Sequence, residues 1–180
     1  MTIQRPGTDE HLPYAVMYVQ SAADALSREG LSDVSELLAR QPAALTALLS
    51  DVSPEAARSS YAPGKWTLLE SLLHTVDSER VFAYRLLRAA RGDRTPLPGV
   101  EQDDWVPQSG ANRRSLADVL DEFATTRAAT LALLKSMDEN ELARRTVASG
   151  HDVSARALAW IIAGHTEHHL ILTRDRYLNG

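Results

Sequence analysis

Apolar positions recur at helical spacing in four stretches of this chain. The first carries Leu37, Leu38, Leu45, Leu48 and Leu49, and Asp33 or Ser35 is available to cap it. Pro42 stands in its middle, which predicts two short helical pieces rather than one. The second carries Leu69, Leu72, Leu73, Val76, Ala83 and Leu87. Thr67 predicts its N-cap, Glu70 completes a capping box, and a basic last turn before Gly92 closes it. The third, SLADVLDEFATTRAATLALLKSM, starts near Ser115. The fourth is ALAWIIAGHTEHHLILTRDRYL, Ala157 to Leu178, with Ser154 as its cap.

The connecting segments differ in character. Pro6 and Pro13 break any early helix, which leaves Tyr14 to Leu26 as a short one. Residues 1–32 thus read as an N-terminal extension and 33–180 as one globular domain. Asp138 to Arg145 reads as a short helical turn or loop, and no segment reads as a strand. The segment RTPLPGVEQDDWVPQSGANRR is rich in proline, glycine and acid. A loop of that length inside a compact domain is uncommon and often functional. The expected fold is all-α, a four-helix bundle with a long crossover between the second and third helices.

Composition narrows the function. A chain of 180 residues is one domain with room for a real core. There is no cysteine, which excludes a disulfide framework, a thiolate metal site and a cysteine nucleophile. The net charge is −5, and the basic groups at Arg85 to Arg94 and Arg113–Arg114 read as solvated helix faces. That argues against nucleic acid as a partner. No run approaches a membrane span, and the N-terminus lacks the pattern of a signal peptide, so a cytoplasmic location is expected.

The candidate chemistry lies in the fourth stretch. With His165 at zero on a helical wheel, Leu158 falls at about 20°, His169 at about 40° and Leu172 at about 340°. His165 and His169 therefore sit centrally on the apolar face, with His168 on its shoulder and Glu167 on the back. Two imidazoles at i and i+4 can converge on one point. Their burial is costly unless each finds a hydrogen-bond partner or both bind a metal ion, and the pattern leaves both readings open. Thr166 follows His165, so this is not the H-E-x-x-H motif of zinc proteases. His74 is the best third candidate. It falls about 140° from Leu69, off the main apolar stripe, and the wheel alone does not settle its direction. His11 and His151 lie in expected loops and read as exposed.

The pieces YAPGKWTLLESLLHTVDSERVFAYR, RGDRTPLPGVEQDDW, VSARALAWIIAGH and HHLILTRDRYL resemble the DinB/YfiT-like metalloenzymes, from about residue 35 to the C-terminus. The resemblance implies a four-helix bundle that binds a divalent metal, zinc or nickel, through His74, His165 and His169, with His168 left out. It implies a homodimer and a small-molecule substrate. It also implies a transferase that uses a low-molecular-weight thiol on a small electrophile. A metal-dependent hydrolase with an activated water is the alternative, and a non-catalytic metal-binding stress protein is the third reading. Trp66 then reads as packing and Lys65 as surface. This chain departs from the family pattern at Thr166, where a glutamate is usual, and at Val100-Glu101 before Gln102-Asp103.

Overall fold

The computed structural model describes residues 2–179. Helix α1 spans Val16–Glu29, α2 Val34–Leu48, and the single turn α3 Pro54–Ala57. Helix α4, Leu68–Ala90, is the longest. The crossover contains only the short α5, Gln102–Trp105, and a few 3-10 turns. Helix α6 spans Leu116–Lys135, α7 Glu139–Ala143, and α8 Ala155–Leu172, which runs on as a π-helical segment, Thr173–Leu178.

Helices α2, α4, α6 and α8 form a ring in which α4 and α2 each touch both α6 and α8. The connection from α4 to α6 is the long crossover, as the sequence predicts. The caps also fall where the sequence places them. Asp33, Thr67, Ser115 and Ser154 each accept a backbone N–H from the first turn of α2, α4, α6 and α8. Thr67 and Glu70 make the reciprocal capping box.

Helix α1 lies along the outer face of α8. Ala15, Ala22 and Ala25 bury completely there with Ala159 and Ala163 of α8. Small residues let two backbones approach, and Gly164 marks the closest point. A Cβ built on Gly164 would stand 1.8 Å from the Tyr18 carbonyl oxygen.

Two expectations need correction. First, α2 is one helix through Pro42, not two pieces. Proline has no N–H, so the Leu38 carbonyl one turn earlier loses its helical partner. Arg127 of α6 supplies it, with Nη1 donating to Leu38 O at 2.8 Å. Second, the chain does contain strands. Arg145–Ala148 (β1) and His151–Ser154 (β2) pair antiparallel around Ser149-Gly150. Both turn residues have positive φ, 52° and 80°, as a two-residue type I′ hairpin requires. Four-residue strands are too short for their alternation to stand out in sequence.

The apolar core divides into two clusters, and a buried polar layer separates them along every helix of the ring. On α2, Gln41 stands between Leu38 and Leu45 of the two clusters; on α4, Glu79 stands between Val76 and Leu86. On α6, Arg127 stands between Phe123 and Leu134; on α8, Thr166 and Glu167 stand between Ala163 and Leu170. Arg127 forks onto Glu79 with two bonds of 2.8 Å, and also donates to Gln41 Oε1 at 2.6 Å and Thr166 Oγ1 at 3.0 Å. Gln41 Nε2 donates to the Ala163 carbonyl and to Glu167. Glu167 also accepts from Arg28 of α1 at 2.9 Å. Glu167 does point away from the histidine pair, but into this buried layer and not to solvent. A buried ion pair persists only when its remaining polar groups are satisfied, and here they are.

Candidate metal centre

His74, His165 and His169 meet at the level of the polar layer. His74 comes from the second turn of α4, and the other two from successive turns of α8. One donor nitrogen from each lies within 4.8 Å of the other two, and all three side chains are buried. Their ring centroids are 4.7 Å apart for His165–His169, and 5.2 Å for His74 with either. The 140° offset of His74 on its wheel is what aims it from the edge of α4 toward α8.

The rings are held as a set. Ser71, one turn before His74, places its hydroxyl 3.1 Å from His169 Nδ1, leaving Nε2 as the remaining donor atom. Ser78 Oγ lies 3.4 and 3.5 Å from the two nitrogens of His74, too long and too evenly shared to fix a tautomer. The His165 ring makes no hydrogen bond to protein among the described residues. Tyr18 packs edge-on to it at 5.2 Å, Phe82 at 5.8 Å, and Trp66 tilts over His74 at 5.0 Å.

Burial keeps the imidazoles neutral. It pushes His74 down to about 4 and His165 down to about 3, and neighbouring histidines lower His165 further. His169 is lowered well below its ordinary value for the same reasons. Neutral imidazole is the metal-binding form, and three such nitrogens facing one point suit zinc, nickel, copper or iron. The donor set thus fits a divalent ion and leaves room for a further ligand. His168 stands apart, half-buried against Tyr18 at 5.9 Å. His151 is exposed on β2, as expected. His11 is not: it is buried, with Nδ1 3.0 Å from the Leu12 carbonyl.

Two cavities meet at the histidines. One, of about 460 Å³, runs along α4 past Phe82 to Arg85; the other, of about 500 Å³, runs past Trp66 to Tyr61 and Tyr177. They share Tyr18, His74, His165, Gln102 and Asp103. The crossover thus reaches the site through α5, and the Asp103 carboxylate acts on His74 by its charge. Sequence reading had no signal for Ser71 or Tyr18. It misplaced Arg85, which is a buried wall of the first cavity and not part of a solvated face.

A family model described as the DinB superfamily matches residues 37–172. No curated protein sequence matches the chain. A solved structure with a TM-score of 0.70 and 15% identity covers 96% of this chain and 93% of its own. It is described as YfiT from Bacillus subtilis, a probable metal-dependent hydrolase with an unusual four-helix bundle topology. At that identity the likeness speaks for the fold.

Proposed function

The chain belongs to the DinB superfamily, and we propose that it is a metal-dependent transferase acting on two small molecules. In this reading His74, His165 and His169 hold one divalent ion, zinc or nickel. One co-substrate is a low-molecular-weight thiol and the other a small electrophile. The observation that carries the reading is the junction of two cavities at His74 and His165, with His169 lining the second. Transfer between two organic molecules needs two compartments that share a reacting point. The chain has no cysteine, so the sulfur comes from the co-substrate. An ion held by three neutral imidazoles supplies Lewis acidity that lowers the pKa of a thiol or water beside it.

The protein residues have separable tasks. Burial keeps the histidines unprotonated. Ser71 fixes the orientation of His169. Tyr18, Phe82 and Trp66 exclude water from the sides of the site. Asp103, the exposed carboxylate over His74, is placed to accept the proton that the thiol gives up. The same reading makes the protein a homodimer, which the family resemblance supports, and keeps the cytoplasmic location expected from the sequence. No helix among the described residues is long and apolar enough to cross a membrane.

A second reading is a metal-dependent hydrolase, in which Asp103 accepts a proton from water. The description of the YfiT structure favours it. The test begins with elemental analysis of untagged protein beside a His74→Ala, His165→Ala, His169→Ala variant and a His168→Ala control. About one ion per chain, lost in the triple variant alone, is expected. Turnover of electrophile panels that depends on added thiol supports transfer. Turnover without thiol supports hydrolysis, and absence of metal binding after titration with zinc and nickel removes both.

A further inference from the structure

We infer that Arg85 is the anion-recognising residue of the cleft: its guanidinium binds a carboxylate of a small-molecule substrate whose reacting end lies at the three histidines. The inference deepens the transferase reading and rests on it only for the position of that reacting end.

Two arginines are buried among the described residues, Arg127 and Arg85. Arg127 is neutralised by Glu79. Arg85 is 5% exposed, yet among the described residues no carboxylate pairs with it. Its contacts are the Pro98 carbonyl at 2.8 Å and the Ser149 hydroxyl at 3.4 Å, both through Nη2, with the Tyr14 hydroxyl close beside it. Beyond Tyr14, its Nε and Nη1 have no protein acceptor among the described residues. A guanidinium taken out of water without a counter-charge is costly, and a fork of free N–H donors is the geometry that accepts a carboxylate.

The position suits a substrate that spans the cavity. His74, Ser78, Val81 and Arg85 recur at i, i+4, i+7 and i+11, so they form one stripe of α4, and all four line the same cavity. The two ends are about 16 Å apart along the axis, and the arginine side chain leans back toward the helix N-terminus and so toward His74. The acids of this cavity are engaged or distant. Asp77 pairs with Arg80 at 3.3 Å, and Asp103 sits at the His74 end. Glu101 is exposed on the rim.

The anchor of Arg85 is itself built. Ser149 holds φ at 52°, a conformation unfavourable for a residue with a Cβ, and its hydroxyl faces the guanidinium. The crossover is tied to the hairpin at the same point, through Leu97 N to Val147 O at 2.9 Å and Ser149 N to Leu97 O at 3.0 Å. Tyr14, Tyr18 and Phe82 give the cavity an aromatic wall.

The test uses 4-phenylbutyrate and its uncharged amide as probes, titrated calorimetrically into the wild type, Arg85→Gln and Arg85→Lys, with and without zinc. Circular dichroism, melting temperature and zinc content are recorded on the same samples. The expected result is that phenylbutyrate binds at least about tenfold more tightly than the amide, and that Arg85→Gln removes this preference while Arg85→Lys keeps part of it. Glutathione titrated into the same proteins identifies the source of the carboxylate. Weaker glutathione binding in Arg85→Gln assigns it to the thiol, and unchanged glutathione binding assigns it to the other substrate. Equal affinity for acid and amide, no binding of phenylbutyrate at about 10 mM, or unaltered affinity in a folded Arg85→Gln protein overturns the inference. Arg85 would then be only a brace for the crossover. Failure of zinc binding with retained acid preference would remove the metal reading and leave this one standing.

Discussion

The Thr166 hydroxyl accepts a hydrogen bond from Arg127 at 3.0 Å, one residue along α8 from His165. Through that bond the backbone that carries two of the three histidines is tied to α2, α4 and α6 at once. The polar layer is the joint between two apolar clusters, and the histidine cluster lies at the same height in the bundle.

Arg127→Met is therefore expected to cost about 3–5 kcal/mol, because it leaves Glu79 charged, buried and unpaired and frees the Leu38 carbonyl above Pro42. Replacing Glu79 by Leu in the same protein should recover a large part of that loss, since two apolar groups leave no orphan charge. Urea unfolding of the single and double variants measures both. A loss below about 1 kcal/mol for the single variant means that the layer does not couple the helices.

Ser71→Ala removes the only partner of His169 Nδ1 among the described residues. The fold should be kept, because the change deletes one hydroxyl. Zinc affinity, read by competition with a chromophoric chelator, should fall about 10–100-fold. All three histidines would still be present, so some binding should remain. An unchanged affinity shows that Ser71 does not orient the ring.

Much of this fold is legible in the sequence, because caps and periodicity are local signals. Thr67 with Glu70, and Ser115 and Ser154, fix the starts of three helices before any packing is known. The i, i+4 pair of His165 and His169 is legible for the same reason. His74 needed the family resemblance, since its wheel position leaves its direction open until α8 is beside it. Arg85 was misread because a charged residue on an amphipathic helix is ordinarily solvated. Its burial depends on the crossover, and that of Glu167 on α1 and α2, all distant in sequence. Pro42 was misread because its compensation, the Arg127 bond to Leu38, comes from another helix.

The metal-free protein should lose stability steadily as pH falls below about 6.5. In the unfolded chain the histidines take up protons there, while in the folded one His74 stays neutral to about 4 and His165 to about 3. Stability is thus complete above the unfolded value and declines as pH drops toward the folded ones. At roughly 1.4 kcal/mol for each tenfold change in proton affinity, His74 alone contributes about 3 kcal/mol. Urea midpoints from pH 7.5 to 4.5 measure the decline, and it should flatten in the variant with all three histidines replaced by alanine. A slope identical in wild type and triple variant places the acid sensitivity elsewhere.

Gly164→Ala tests how closely α1 must approach the site. Helix propensity alone favours the change by about 1 kcal/mol. The steric effect opposes it and should win. The new methyl would stand 1.8 Å from the Tyr18 carbonyl oxygen and 2.5 Å from its carbonyl carbon, which are backbone atoms and cannot rotate away. Helix α1 must then shift by more than 1 Å, carrying the Tyr18 ring off His165, which it now meets at 5.2 Å. Overpacking of this kind costs about 1–3 kcal/mol or more, so a net destabilisation is expected in thermal melts. Zinc affinity should fall with it, because Tyr18 walls both cavities. A more stable Gly164→Ala protein would mean that α1 stands farther from α8 than described, and that Tyr18 does not shape the site.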